Sequence, residues 1–383
     1  MDEVRMVRDS YPEPPPPTAQ MIGRARALLD GPPRRSRPRL GWGLGGGLVA
    51  AGAAAAVAIA FTGGNAPAPA PSGTVSLDGK AAFLAAAEKA EQQPVGRYWY
   101  ADVVSGQSYI MRARTGTYAI TGAHDETFGW WGAKSGMGEA YYGRDLPARP
   151  LTARDAELWR KAGSPSSFRV RSDDRYITYT TKATKWRSDG PEKGTYPHGG
   201  GKFLDGKSVE QLQSLPTDPA KLAKEFLGEA DAAAGLPAGK GLPPEQRASS
   251  TIHRVASIMD APLPPKVRAG LMRALAAQPG VRAIGRDSDP LGRRGIALAS
   301  GERTTTVTAA DGRPASEAGT YRSRTVIIFD ERTGAMLSRQ EELTRSGGEY
   351  REMRPGFVIE YQTLRSAAWT GTRPAPPSEL PFK

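Results

Sequence analysis

The chain has 383 residues, with 52 Lys and Arg against 40 Asp and Glu for a net charge of +12, and it contains no cysteine. The missing cysteines exclude disulfides, a thiol nucleophile, Cys-ligated zinc and a cysteine-borne lipid anchor. The length leaves room for one large domain or two smaller ones, and the basic balance suits either a neighbourhood of anionic headgroups or envelope polymers or a bias of composition with scattered charges.

Residues 1–39 read as a cytoplasmic tail that is disordered or holds one short helix. Pro12 and Pro14 to Pro17 favour polyproline II, and Thr18 to Leu29 has space for about three helical turns. Residues 40–61 carry no charged side chain. As a helix rising about 1.5 Å per residue, this run reaches roughly 33 Å, enough to cross a hydrocarbon core of about 30 Å. Arg34, Arg35, Arg37 and Arg39 precede it, and no Lys or Arg follows until Lys80. The expected orientation therefore keeps the N-terminus in the cytoplasm and the remainder outside. A cleaved signal peptide is the rival, with small-residue sites at Ala58-Ile-Ala60 and Ala66-Pro-Ala68. The long leader and the long apolar run favour an uncleaved single-pass anchor. Residues 62–76 form a Pro/Ala/Gly linker.

Residues 77–373 are the expected extracytoplasmic domain. Lys80 to Gln93 has a helical apolar face at Phe83, Leu84 and Ala87. From Arg97 the period becomes two. Arg97 to Val103 and Gln107 to Arg114 predict a hairpin around Ser105-Gly106, and strands follow at Thr117–Thr121, Glu126–Ala133 and Glu139–Tyr142. Thr152 and Asp155 predict a capping box on a helix over 153–162. Phe168–Arg171 and Arg175–Trp186 are further strands. Leu215-Pro216-Thr217-Asp218-Pro219 starts a helix that is expected to reach about Ala234. Helices at 244–259 and 264–278 come next. A closing series of strands is expected at 281–285, 295–299, 322–330, 335–344 and 358–364, with a turn at Asp330 to Gly334. Residues 374–383 read as a frayed tail. Strands, then helices, then strands indicate an α+β domain whose curved antiparallel sheet or sheets are covered by helices.

Several stretches carry a resemblance. They are Gly96-Arg97-Tyr98-Trp99-Tyr100, Leu158-Trp159-Arg160-Lys161-Ala162-Gly163-Ser164-Pro165, Leu215 to Pro219, Pro279-Gly280-Val281, Gly292 to Gly295, and Ile328-Phe329-Asp330 leading to Thr333-Gly334. With them the chain resembles an uncharacterised family of actinobacterial single-pass membrane proteins, often encoded beside extracytoplasmic-function sigma factors. The resemblance carries no activity and implies a place in envelope signalling. In architecture the closing strands also resemble the half-barrels of lipoprotein carriers and RseB-type sensors, which implies lipid-like ligands.

Other motifs match by letter only. Gly201-Lys202-Phe203-Leu204-Asp205-Gly206-Lys207-Ser208 fits the P-loop pattern, but a loop precedes it and no long helix follows, against what nucleotide binding needs. His198-Gly199-Gly200-Gly201 resembles an esterase oxyanion loop, yet the chain has no G-x-S-x-G elbow. His124, His198 and His253 lack metal spacing. Glu341 and Glu342 would face opposite sides of a strand. Tyr98, Trp99, Tyr100, Trp130, Trp131, Trp159 and Trp186 read as core, with the lining of an apolar ligand cavity as the alternative. The sequence thus supports no catalytic, cofactor-binding or metal-binding residues. The expected role is that of a non-enzymatic envelope sensor or regulatory protein. It would sit at the cell membrane with a protein partner and without nucleic acid; a lipid or lipoprotein binding module is the alternative.

Overall fold

The long alternating runs after Arg97 form two strands, not four. In the computed structural model, β1 (Tyr98–Ala113) and β2 (Gly116–Gly132) pair along almost their whole length and turn at Arg114–Thr115. The expected turn at Ser105-Gly106 is a bulge inside this pair. Ser105 faces Asp125 while Gln107 faces Gly122, so Ala123 and His124 together oppose Gly106. Glycine suits that position because a Cβ there would lie 2.6 Å from the Tyr361 ring. A lone Gly in a strand marks a bulge or close approach more readily than a turn when both flanks keep alternating.

The structure describes residues 77–172, 175–188, 203, 206–228, 242–308 and 314–382, all within one unit, Gly43–Lys383. The expected tail, anchor and linker over 1–76 lie outside the described residues. So do His198-Gly199-Gly200-Gly201 and, within the P-loop match, Gly201, Lys202, Leu204 and Asp205. Among the described residues no helix is long and apolar enough to cross a membrane.

The domain is α+β with one large antiparallel sheet. Its remaining strands are β3 (Glu139–Asp145), β4 (Arg149–Pro150), β7 (Arg187–Ser188), β8 (Arg282–Ser288), β9 (Arg294–Ala299), β10 (Arg303–Val307), β11 (Gly319–Phe329), β12 (Met336–Arg345) and β13 (Val358–Thr370). The order across the sheet is β7-β3-β2-β1-β13-β12-β11-β9-β8, with β10 added to β11 and β4 to β2. The early and late strand series therefore join in one sheet through β1 and β13. A separate hairpin, β5 (Ser167–Ser172) with β6 (Arg175–Thr180), packs Phe168, Val170 and Tyr179 on Tyr109, Tyr118 and Ile120.

Helices cover one face. Apart from α2 (Ala153–Lys161), which packs Leu158 and Trp159 with Tyr109, Tyr118 and Ile120, they are α1 (Leu77–Glu91), α3 (Val209–Gln213), α4 (Pro219–Phe226), α5 (Pro244–Met259) and α6 (Pro265–Ala276). Period-two residues of the strands meet them: Trp99, Ala101 and Val103 of β1, Trp131 of β2, Ile327 and Phe329 of β11, and Leu364 of β13. Phe83, Ile252, Met259, Leu271 and Leu275 fill the same core. Each Leu or Ile buried there contributes roughly 1.5–3 kcal/mol. The capping box of α2 is present, with Thr152 and Asp155 bonding reciprocally. Helix α4 starts at Asp218 and Pro219 as expected but ends at Phe226, short of Ala234.

The opposite face is closed by the sheet's own curvature. Arg293, in the β8–β9 turn, donates to the carbonyls of Leu337, Leu364 and Arg365 on β12 and β13. Ser288 to Pro290 line the same groove as Ser108 of β1 and Thr121 of β2, although four strands separate β8 from β1 and five separate it from β2 in the sheet order. A second cover is the C-terminal segment. The expectation of a frayed end at 374–383 is corrected for residues 377–382, which are held by side chains of β2, β3 and β13 described below.

Candidate functional site

Burial and charge converge on this inner face, away from the helices. Asp102, Glu126 and Arg144 are each at most 5% exposed, and Arg365 joins them. Glu126 and Arg144 are direct cross-strand neighbours on β2 and β3, and Arg144 Nε donates to Glu126 Oε2 at 2.6 Å. Arg365 Nη1 donates to Glu126 Oε1 at 2.9 Å, and its Nε lies 3.9 Å from Asp102 Oδ2. Glu126 takes the closer contacts of both guanidiniums, so Asp102 keeps only the longer approach of Arg365, and its Oδ1 has no hydrogen-bond partner. Burial, then the neighbouring Glu126, lift the Asp102 carboxyl well above the usual carboxylate range, and Arg365 only partly offsets this.

A guanidinium has five N–H donors, more than one carboxylate can satisfy. The surplus goes to the chain's own end. Arg144 donates to the carbonyls of Ser378 and Glu379, and Arg365 Nη1 donates to Glu379 O at 2.9 Å. The Trp186 ring lies 4.4 Å from the Arg144 guanidinium carbon, and its Nε1 donates to Pro377 O at 2.7 Å. The segment is thus gripped through three consecutive main-chain carbonyls.

Its last described residue, Phe382, enters a recess beside the β2 bulge. His124 lies 5.0 Å from the Phe382 ring, and the Arg149 guanidinium is stacked over it at 3.8 Å. His124 is 5% exposed. Its Nδ1 lies 3.0 Å from Pro147 O, a carbonyl that can only accept, so Nδ1 carries the proton and Nε2 is left as an unpartnered acceptor. Burial pushes the imidazole down to about 4, with Arg149 adding to the effect. Arg149 Nε is likewise buried without a partner. A small cavity of about 200 Å³ remains between this pair and Leu380, Pro381 and Phe382.

Beyond Phe382 and Arg149 an open groove of about 630 Å³ runs between α2, the β8–β9 turn and the β12–β13 connection. Its walls mix Thr121, Arg154, Asp155 and Glu352 with Leu158, Met353 and Phe357. That volume is typical of ligand sites.

No family model, no curated protein and no solved structure matches this chain. Its functional reading therefore rests on its own sequence and geometry.

The residues singled out in the sequence fall in different places. Lys207 lies 3.3 Å from Glu225, and Ser208 caps α3 through a capping box with Gln211. Phe203, within the same P-loop match, is fully buried against Trp131. Among the described residues no cluster of His, Cys, Asp and Glu could hold a metal ion. His253 lies on α5, 3.4 Å from Arg339, far from His124 on the other face. Glu341 and Glu342 do face opposite sides, to Arg303 and Arg324 respectively. The aromatics divide: Trp99 and Trp131 pack with the helices, whereas Tyr98 and Trp130 meet edge to face at 5.7 Å on the inner side.

Sequence reasoning missed the inner-face cluster altogether. Asp102, Glu126, Arg144 and Arg365 are far apart in the chain, and only strand register unites them. The available signal was a charged residue at alternate positions of strands that otherwise read as apolar.

Proposed function

We propose that the chain is a single-pass membrane protein with residues 1–39 in the cytoplasm and an extracytoplasmic α+β domain that acts as a non-enzymatic envelope sensor or regulatory partner. The charge-free run at 40–61 and the arginines before it support the anchor and its orientation. The inner face of the sheet is the contact surface. One observation carries this reading: the chain's own end lies across that face, held by main-chain carbonyls, next to an unfilled groove of about 630 Å³. The cluster of Asp102, Glu126, Arg144 and Arg365 is engaged with itself and the covering segment and does not line the groove, which supports recognition over chemistry. A lipid-carrying role draws no comparable support, because the helix-covered face is filled by side chains such as Ile252, Met259 and Leu271.

The absence of native cysteine makes the test direct. A single cysteine at Ser72 is expected to react with a membrane-impermeant maleimide on intact cells, and one at Ser10 only after lysis. The opposite pattern would overturn the topology. A photo-crosslinking side chain at Met353, in the groove, is then expected to give one discrete protein adduct in membranes. A control at Glu88 on α1 is expected to give none. Identical behaviour at both positions would remove the assignment of the contact surface.

A further inference from the structure

The segment that covers the inner face is bound as a peptide is bound. Trp186, Arg144 and Arg365 recognise the carbonyls of Pro377, Ser378 and Glu379. Carbonyls are common to every sequence, so this grip fixes an extended backbone without requiring those residues. Specificity falls to one inserted side chain, Phe382, while Leu380 stays exposed at 39%. Proline suits the remainder, since an extended chain held through its carbonyls does not need every N–H and is already stiff.

The fit of this occupant is incomplete. Beside the Phe382 ring, His124 Nε2 offers an unused acceptor and Arg149 Nε an unused donor, with about 200 Å³ of space next to them. Past Phe382 the groove continues unfilled. An aromatic residue with a hydroxyl would use contacts that the resident Phe382 ring leaves open.

We propose that the inner face is a peptide-binding site whose resting occupant is residues 377–382, and that an extended, proline-bearing peptide from a separate partner chain, with a tyrosine for the His124–Arg149 recess, displaces it. The partner's peptide would run over Trp186, Arg144 and Arg365 and continue into the groove beside α2. This rests on the reading of the inner face as the contact surface and adds the chemistry of what it contacts.

The probe is a fluorescent ten-residue peptide with the sequence of residues 374–383, and its Phe382→Tyr and Phe382→Ala analogues. Binding is measured by anisotropy to three proteins: the detergent-solubilised full chain, the full chain with Phe382→Ala, and a chain ending at Arg373. The shortened chain is expected to bind the peptide saturably, the full chain at least tenfold more weakly, and the Phe382→Ala chain in between. The tyrosine peptide is expected to bind more tightly than the parent, and the alanine peptide to lose most affinity. If the shortened chain keeps its near-ultraviolet circular dichroism and melting temperature but ignores every peptide, the segment is a structural strap and the proposal fails. If shortening unfolds the chain, the Phe382→Ala full chain decides. No gain in peptide affinity over the unaltered chain, together with unchanged acrylamide quenching of tryptophan fluorescence, also overturns it. A full-chain dimer that free peptide dissociates would assign the occupant to a second copy and defeat the commitment to a separate partner. These outcomes are independent of cysteine labelling at Ser72 and Ser10, so failure of the membrane topology and failure of peptide recognition are told apart.

Discussion

Arg365 leaves the strand ladder where β13 slips register against β1, and its guanidinium reaches Glu126 at 2.9 Å. Asp102 pairs with Ser366 and Val103 with Leu364, so Arg365 is the extra residue between them. The slip keeps Leu364, Ala367 and Trp369 on the helix side despite their uneven spacing. It also frees an arginine to satisfy a carboxylate buried on the other side. Bulges re-aim side chains in this way at the edges of functional surfaces.

Replacing Glu126 by Ala tests this arrangement. It would leave Arg144 and Arg365 without their shared carboxylate, and a buried pair broken from one side costs about 3–5 kcal/mol. The expected result is a fall of that size in the unfolding free energy, read from urea melts followed by tryptophan fluorescence. A loss under about 1 kcal/mol, the range of an exposed pair, would mean that water reaches the cluster.

Asp102→Asn is expected to act in the opposite direction, with a pH signature. The folded chain holds Asp102 protonated above its ordinary titration range near pH 4, because burial and Glu126 oppose ionisation. Over that window the folded state carries a proton that the unfolded state has lost. Stability from this group is therefore present below about pH 4 and declines as pH rises toward the folded value. Asparagine cannot ionise. The melting-temperature difference, variant minus parent, should be near zero at pH 4 and increasingly positive by pH 8.5. A difference that does not change with pH would place Asp102 in contact with water.

Much of the fold was legible because it is written locally. The capping pair Thr152 and Asp155, the Asp218-Pro219 helix start and the limits of α5 depend on neighbours within one or two turns. The turn at Asp330 to Gly334 is equally local, with Asp330 Oδ1 accepting from the N–H groups of Arg332 and Thr333. The errors came where a distant partner decided. Gly106 is a bulge because Tyr361 lies over it, and β10, rich in threonine, is a strand because β11 supplies its partner. The ordered end depends on Arg144, Arg365 and Trp186, none of which a Pro-rich tail announces. The site is the extreme case, since the bulge that frees Arg365 exists only where β1 pairs with β13, strands from opposite ends of the domain.

Gly334→Ala probes how the helix layer seats on the sheet. Gly334 has φ +68, a conformation that favours glycine, and an added Cβ would lie 2.2 Å from Ala86 O and 2.6 Å from Ala90 Cβ of α1. Either α1 moves off or the turn reshapes, and Phe83 loses its edge contact with Phe329 at 5.2 Å. Small-to-large changes in such places cost typically about 1–3 kcal/mol, and left-handed strain adds to that. Faster hydrogen exchange confined to residues 80–91 is the expected readout. Unchanged protection there would show that α1 adapts without cost.

Acid should weaken the domain through its two described histidines. Burial pushes His124 down to about 4 and His253 to about 3, the latter helped by Arg339 and Arg303. Both are ordinary, near pH 6.5, in the unfolded chain. Their contribution is thus complete above pH 6.5 and is lost as pH falls through the folded values, by up to about 1.4 kcal/mol per pH unit for each group. His124→Asn keeps a donor for Pro147 O but never titrates. Relative to the parent, it should flatten the decline between pH 6 and pH 4, while His253→Asn removes a separate share. The two differ in what opens first. A proton on His124 sets a second positive charge beside Arg149 at the Phe382 recess, so the covering segment should loosen before the core melts. Acrylamide quenching of tryptophan should then rise between pH 6 and pH 4 at constant far-ultraviolet circular dichroism, and His124→Asn should abolish that rise. Quenching that rises only with global unfolding would show that the segment and the core come apart together.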